Sequence, residues 1–280
     1  MSVKIITDSA SDISQDEAKR LGIVVIPLVF RFGNEEFYDG VTMSNLDFYK
    51  RLESEENLPK TSQITPYRYT EAFEEALKEN DEVVYLSISS GVSGSVQSAM
   101  MAASEFDGKV KVFDSKHFCI SLRVLTEYAK RLADEGKTGD EIMELLEKAR
   151  EKVRIIAIFN TLENLKKGGR ISPTVAFVGE VLNIKPVITI KDGGVDVLGK
   201  VRGMKKGFVA MREYIEAEGG IDLDMPYSLA YSGTDPENIN AFLENNKDLY
   251  GNNEVSLSYV GATVGTYAGA NAIATAYFVK

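Results

Sequence analysis

Short apolar runs alternate with amphipathic stretches along most of the chain, and this alternation predicts the order of elements. Val3, Ile5 and Ile6 belong to a short buried strand that ends near Thr7, and a polar loop covers residues 8–12. Ser14 and Glu17 then have the spacing of a helix capping box, in which each side chain bonds the other's backbone N–H. Gly22 closes that helix, and the β-branched and aromatic run 23–32 predicts a strand. A Gly33-Asn34 turn and an extended piece through Tyr38 make a hairpin. Ser44 caps a helix reaching about residue 53, residues 58–65 are extended, and Thr65-Pro66 starts a helix over 66–79 with proline at its first position. The pattern becomes regular from there: strand 82–89, helix 94–105, strand 110–114, helix 119–135, and a helix capped by Thr138 and Glu141 that runs to about residue 152. Such βαβα order predicts a mostly parallel sheet with helices on its faces.

A second α/β unit follows a soft boundary near 153/154, so two subdomains, about 1–153 and 154–280, are expected. Strand 154–161 leads into a short helix 162–167 that stops at Gly168-Gly169, and Ser172-Pro173 starts another helix. Strands 184–191 and 195–201 form a hairpin around Asp192-Gly193-Gly194, so this sheet is mixed. Helix 205–218, strand 227–232, helix 235–248, strand 254–260 and a Gly/Ala-rich terminal helix complete it.

Composition narrows the chemistry. At 280 residues with 44% hydrophobic and 26% charged positions, the chain is globular rather than disordered or fibrous. No run reaches the ~18 apolar residues of a membrane span and the N-terminus lacks a signal-peptide core, so a cytoplasmic protein without an integral membrane segment is expected. The single Cys119 removes an intramolecular disulfide and a cysteine zinc cluster, and the single His117 removes multi-histidine metal sites. A net charge of −10 opposes binding to nucleic acid. The basic islands Lys166-Lys167-Gly168-Gly169-Arg170 and Lys200 to Lys206 instead offer a docking patch for an anionic partner.

Polar residues gather where strands end: Asp8-Ser9-Ala10-Ser11-Asp12, the stretch 87–95, and Asp114-Ser115. In open α/β sheets ligands bind outside the carboxyl ends of strands, so three such loops suit one crevice. Ser90-Gly91-Val92-Ser93-Gly94-Ser95 joins a strand to a helix N-terminus, where free N–H groups favour an anion. It is neither a Walker loop nor a nucleophile elbow. A hydrolase or phosphatase using Ser93 or Asp8 stands as the alternative, but the only histidine to serve Ser93 is His117, and nothing in the sequence brings them together. Asp8 and Asp12 match no calcium-loop spacing and read equally well as caps, so no metal is expected. Lys60-Thr61-Ser62-Gln63 places hydroxyl and amide groups on an extended segment, where they can meet a carboxylate. The apolar stretch 175–182 reads as core or as the wall of an apolar tunnel.

Taken in order, Thr7 to Asp12, Lys60 to Gln63, Ser89 to Ser95, Asp114-Ser115, Thr161 to Ser172, Leu182 to Pro186 and Gly199 to Arg202 resemble the DegV family nearly end to end. The resemblance implies a two-subdomain α/β protein, not itself an enzyme, that binds one long-chain fatty acid such as palmitate, stearate or oleate in a tunnel at the subdomain junction. It implies no cofactor and no catalytic residue. The partner is an ATP-dependent fatty acid kinase subunit that makes acyl phosphate for phospholipid synthesis. By position, Thr61 and Ser93 correspond to the carboxylate ligands, with Ser62, Gly94, Ser95 and Tyr267 in the surrounding polar shell. Arg170 and Arg202 correspond to the basic face that meets the kinase. Two positions depart from the family pattern: Tyr267 with Gly269-Ala270-Asn271 stands where a His and Gly-Pro-Gly are common, and Ile64 replaces a Pro. Burial of about fourteen methylenes at ~0.8 kcal/mol each sets an upper limit of ~11 kcal/mol, so the tail dominates affinity and the hydroxyls set orientation.

Overall fold

The computed structural model describes residues 2–172, 183–251, 253, 255 and 257–280. Among the described residues three sheets carry the fold. The first is parallel, in the order β2 (Val24–Ile26), β1 (Val3–Asp8), β6 (Glu82–Ser87), β7 (Val110–Asp114). Its two central strands, β1 and β6, are buried on both faces, as apolar βαβ strands must be. Helices join them: α1 (Gln15–Leu21) carries the expected Ser14/Glu17 capping box and ends on Gly22 at φ 69°, a left-handed cap that glycine adopts without strain. Helix α3 (Pro66–Leu77) starts on its proline, and α6 (Gly139–Arg150) has the Thr138/Glu141 box.

The run 23–32 is not one strand. It breaks at Pro27, which has no N–H to give a ladder, into β2 and β3 (Val29–Phe32). Strand β3 turns away to pair with β4 (Glu35–Tyr38) in the expected hairpin, and on its other side with β5 (Lys60–Ser62). This small antiparallel sheet buries Phe30 and Phe32 against Phe48 and Tyr49 of α2 (Asn45–Ser54).

The mixed sheet runs β10 (Gly194–Arg202), β9 (Ile184–Lys191), β8 (Val153–Ile158), β13 (Ile273–Phe278), β11 (Ser228–Tyr231), β12 (Leu257–Tyr259). Strand β13 corrects the expectation of a helical end to the chain. The terminal helix, α10, covers only Ala262–Ala268, and the residues beyond it form a central strand antiparallel to both β8 and β11. All six β13 positions are buried, so the period-2 pattern that marks a half-exposed strand is missing. One face of this sheet packs with α8 (Met204–Ala217) and α9 (Glu237–Asn245) around Ile156, Ile158, Leu229 and Tyr277. The other face meets α5 (Ile120–Asp134), which also packs on β1 and β6 of the parallel sheet. Because α5 lies between the two sheets its residues 120–126 are all buried, polar ones included. Its buried Arg123 is matched by Glu17, Glu127 and the Ser258 hydroxyl. The helix expected from Ser172-Pro173 and the apolar stretch 175–182 lie outside the described residues.

Candidate functional site

Pairing of β5 with β3 sets Thr61 opposite Phe30, at the edge of a cavity of about 480 Å³. Three further segments complete its polar end. The loop after β6 supplies Ser93 and Gly94 just before α4 (Ser95–Ala103); the segment after α7 (Glu163–Lys167) supplies Arg170; α10 supplies Thr263 and Tyr267. The Thr61 and Tyr267 hydroxyls are hydrogen-bonded at 2.6 Å, and the Ser93 and Ser95 hydroxyls at 3.0 Å. Arg170 lies with Cζ 4.9 Å from the centre of the Tyr267 ring and donates from Nη1 to the Gly168 carbonyl. Gly168 is there for room: a Cβ at that position would come within 2.3 Å of the same ring. Leu28, Ile88, Val92, Phe118, Phe159 and Leu165 are prominent in the apolar remainder. Among the described lining residues Arg170 is the one charged group, so these residues form an apolar cavity with a cation at its hydroxyl-lined end.

Buried carboxylates fix the segments that carry these groups. Asp8 accepts from Ile88 N–H at 2.8 Å, Tyr85 Oη at 2.8 Å and Ala10 N–H at 3.1 Å, tying the start of the Ser93 loop to β1. Asp114 accepts from Ser90 N–H; burial opposes its charge, but the bonds from Lys116 and Ser90 hold its pKa below the usual value. The loop is braced from the mixed sheet too, since Ser89 Oγ donates to the Gly193 carbonyl at 2.7 Å. At the start of α10, Asp39 accepts from Ala262 and Thr263 N–H at 2.8 and 3.0 Å, and Asp12 from Gly261 N–H at 2.8 Å. Helix α10 is therefore capped from two distant loops. Burial raises the Asp8 pKa to about 6 and that of Asp12 to about 7, and raises Asp39 as well.

Of the residues picked from the sequence, Thr61, Ser62, Ser93, Gly94, Arg170 and Tyr267 all line this cavity. Ser95 is fully buried behind Ser93, to which it is bonded. Arg202, exposed at the end of β10, is not among the lining residues. His117 lines a separate, charge-rich cavity with Arg150 and Arg154; burial lowers its pKa to about 4, so it is neutral. The Ser93 hydroxyl thus meets Ser95 rather than a base, and Asp8 is spent on holding backbone, so the geometry gives the hydrolase alternative no support. Among the described residues no cluster of three His, Cys, Asp or Glu groups suits a metal ion, and no helix is long and apolar enough to cross a membrane.

Gln63 also lines the cavity, a placement its motif alone does not give. Its side chain lies against Gly94, where a Cβ would fall 2.0 Å from Gln63 Oε1, and its Nε2 donates to Ser98 Oγ at 3.1 Å. The clue was present in the sequence: a polar residue on the same extended segment as Thr61. No such clue existed for Asp39, whose α10 partners are more than 200 residues away in the chain.

The family model described as DegV family matches residues 2–280. A DegV domain-containing protein of Caldanaerobacter subterraneus is 34% identical over 275 residues, covering 96% of each chain. A solved structure described as showing fatty acid binding of a DegV family protein from Thermus thermophilus is 32% identical and covers 100% of both chains, with a TM-score of 0.88. A DegV family protein from Eubacterium eligens loaded with heptadecanoic acid is 27% identical, again over 100% of both chains, with a TM-score of 0.84.

Proposed function

The chain belongs to the DegV family, and we propose that it binds one long-chain fatty acid and presents the carboxylate to a separate ATP-dependent kinase subunit. The observation that carries the first half is the polarity of the cavity: Thr61, Ser93, Tyr267 and one cation, Arg170, at one end, and Leu28, Ile88, Phe118 and Phe159 in the rest. A carboxylate removed from water needs several donors to remain ionised, and hydroxyls with a guanidinium supply them. The heptadecanoic acid in the Eubacterium eligens relative and the fatty acid binding described for the Thermus thermophilus relative support the ligand class. In this reading Thr61 and Ser93 hold the carboxylate, while Ser62, Gly94, Ser95 and Tyr267 shape the polar surroundings.

The test is lipid affinity, read by displacement of a fluorescent fatty acid and by mass spectrometry of the purified protein. Thr61→Val and Ser93→Ala each remove a donor to a charged group, about 1.5–3 kcal/mol, and are expected to weaken palmitate binding roughly tenfold or more while leaving the unfolding midpoint near that of the wild type. Unchanged affinity in both variants would remove the carboxylate site from these residues.

The kinase half rests on the motif resemblance and on the basic groups near the polar end, Lys166, Lys167 and Arg170, with Arg202 at the end of β10. The phosphoryl chemistry belongs to the partner's ATP and metal, which suits a polar end whose described side chains are hydroxyls, the Gln63 amide and the Arg170 guanidinium. Arg170 is among the described lining residues and Arg202 is not, so their charge reversals differ. Arg202→Glu is expected to cut acyl phosphate formation with the cognate kinase at least fivefold at unchanged lipid affinity, whereas Arg170→Glu lowers both. Full acyl phosphate formation by Arg202→Glu would remove that residue from the docking face.

A further inference from the structure

A second cavity, of about 710 Å³, shares no described lining residue with the first. It lies where α8 runs out: the helix ends at Ala217, its end supplies Tyr214 and Glu218, and positions of β8, β9 and β10 line the open space beside it. The register there is polar. Thr189 of β9 stands opposite Asp196 of β10, and Lys191 opposite Gly194, which adds no side chain to cover it. Ile156 and Leu198 add apolar surface, and the loop after β7 closes one side with Lys116 and His117.

Cations and carboxylates are equally many among the described lining residues, but they differ in depth. The Arg150 and Arg154 side chains are 20% and 34% exposed, whereas Glu151 and Glu218, which pair with them, are 79% and 47% exposed. A carboxylate that stands in water offsets little of a more buried charge, so the inner wall is cationic. His117, 7% exposed, lies beside both guanidiniums; burial first, and then their charge, keeps it neutral. Its Nδ1 has no hydrogen-bond partner within the chain. A buried polar atom left unmatched is uncommon in a folded protein and marks a place where a further group can bind. Asp196 uses Oδ1 on the Val197 N–H at 2.9 Å. Lys191 has no ion-pair partner among the described residues.

We propose that this cavity binds a small organic phosphate of about the size of a nucleoside monophosphate. The phosphate lies among Lys116, Arg150, Arg154 and Lys191, the hydroxyls of the ligand turn to Asp196 and His117, and its apolar body rests on Ile156 and Leu198. The volume is that of a small-molecule site and exceeds what a bare phosphate needs.

Two residues of this cavity also hold the Ser93 loop. Lys116 Nζ donates to Ser90 Oγ at 2.7 Å as well as to Asp114 at 2.8 Å, and the Gly193 carbonyl accepts from Ser89 Oγ. A phosphate that draws Lys116 Nζ to itself takes a donor from Ser90 and loosens the loop. On the acyl-binding reading above, the ligand is therefore a negative effector of fatty acid binding. Linkage makes the effect mutual, so a bound fatty acid weakens the phosphate ligand by the same factor.

Calorimetric titration with AMP, adenosine and inorganic phosphate tests the site on wild-type protein, Arg154→Gln and Lys191→Gln, neither of which alters a residue lining the acyl cavity. AMP is expected to bind at one site with a Kd below ~1 mM, more tightly than adenosine or inorganic phosphate. Arg154→Gln removes a charged donor and is expected to weaken AMP about tenfold or more. Lys191→Gln, which has no ion pair to lose, is expected to weaken it about threefold with an unchanged unfolding midpoint. No AMP uptake by the wild type, or wild-type affinity in both variants, overturns the site. Inorganic phosphate bound as tightly as AMP overturns the organic body, and adenosine bound as tightly overturns the phosphate contact. Palmitate titrations with and without saturating AMP test the coupling, and AMP is expected to raise the palmitate Kd about fivefold or more. An unchanged Kd overturns the coupling and leaves the site standing. Failure to bind palmitate in either condition overturns the acyl-binding reading, and the AMP site is then judged by its own titration.

Discussion

Asp39→Ala is expected to lower the stability of the protein by about 3 kcal/mol and to weaken fatty acid binding about tenfold. The substitution leaves the Ala262 and Thr263 N–H groups and the Ser9 hydroxyl without the acceptors they have now, in a place that is 2% exposed. An orphaned buried donor costs ~1–3 kcal/mol, and part of the sum is returned because one of three neighbouring buried carboxyls disappears. The binding loss follows from what α10 carries: Thr263, Val264, Tyr267 and Ala268 all line the cavity. Asp39→Asn keeps an acceptor of the same shape and is expected to recover about half of both effects. Urea unfolding and lipid titration on the three proteins check this. An unfolding midpoint equal to wild type for Asp39→Ala would show that α10 is held by other contacts.

The second large effect is on the pH dependence of stability. Asp8 and Asp12 rise by burial from an ordinary 3.8 to about 6 and about 7 in the folded chain, and Asp39 moves the same way. Between those limits the folded state holds protons that the unfolded state has released. Their contribution is therefore fully present below about pH 4 and is lost as pH rises through 6 and 7. His117 opposes it. Burial lowers its pKa from 6.5 to about 4, so its contribution is present above 6.5 and is lost as pH falls toward 4. Across about pH 5 to about pH 6, two aspartates outweigh one histidine by roughly one proton, so stability is expected to fall as pH rises, by ~1.4 kcal/mol per unit. Asp12→Asn should flatten that slope and His117→Asn should steepen it. A wild-type stability that rises across this window would show that the aspartates are ionised in the folded chain.

The parallel half of the fold was legible because its signals are local. Capping boxes at Ser14 and Thr138, the proline at the start of α3 and the apolar strands between them each depend on neighbours a few residues apart. Strand β13 was hidden by its burial on both faces, which removes the alternation of a half-exposed strand, and by the Gly- and Ala-rich stretch 261–274 that runs into it. The extended segment 58–65 was legible, but the pairing of β5 within it was not: three polar residues, Lys60, Thr61 and Ser62, are recruited into a sheet by β3, which no local pattern announces. For the cavity, the sequence supplied the hydroxyl-bearing segments through their motifs. Asp8, Asp12 and Asp114 stood in those motifs but their partners were not legible, and Asp39 stood in none, because Asp12 and Asp39 act on residues 249 and more than 220 positions away.

The place of β13 also orders the making of the protein. The strand occupies residues 273–278, yet its neighbours β8 and β11 are complete by residues 158 and 231. Until it arrives, β8 and β11 each present an open edge, and the faces that will bury Ile156, Leu229 and α5 are unfinished. Such edges invite pairing with other chains. A nascent chain stopped short of residue 273 is thus expected to be aggregation-prone, while its β1-β2-β6-β7 sheet has all its strands; closure of the mixed sheet is a late, long-range step, of the kind that sets a slow folding rate.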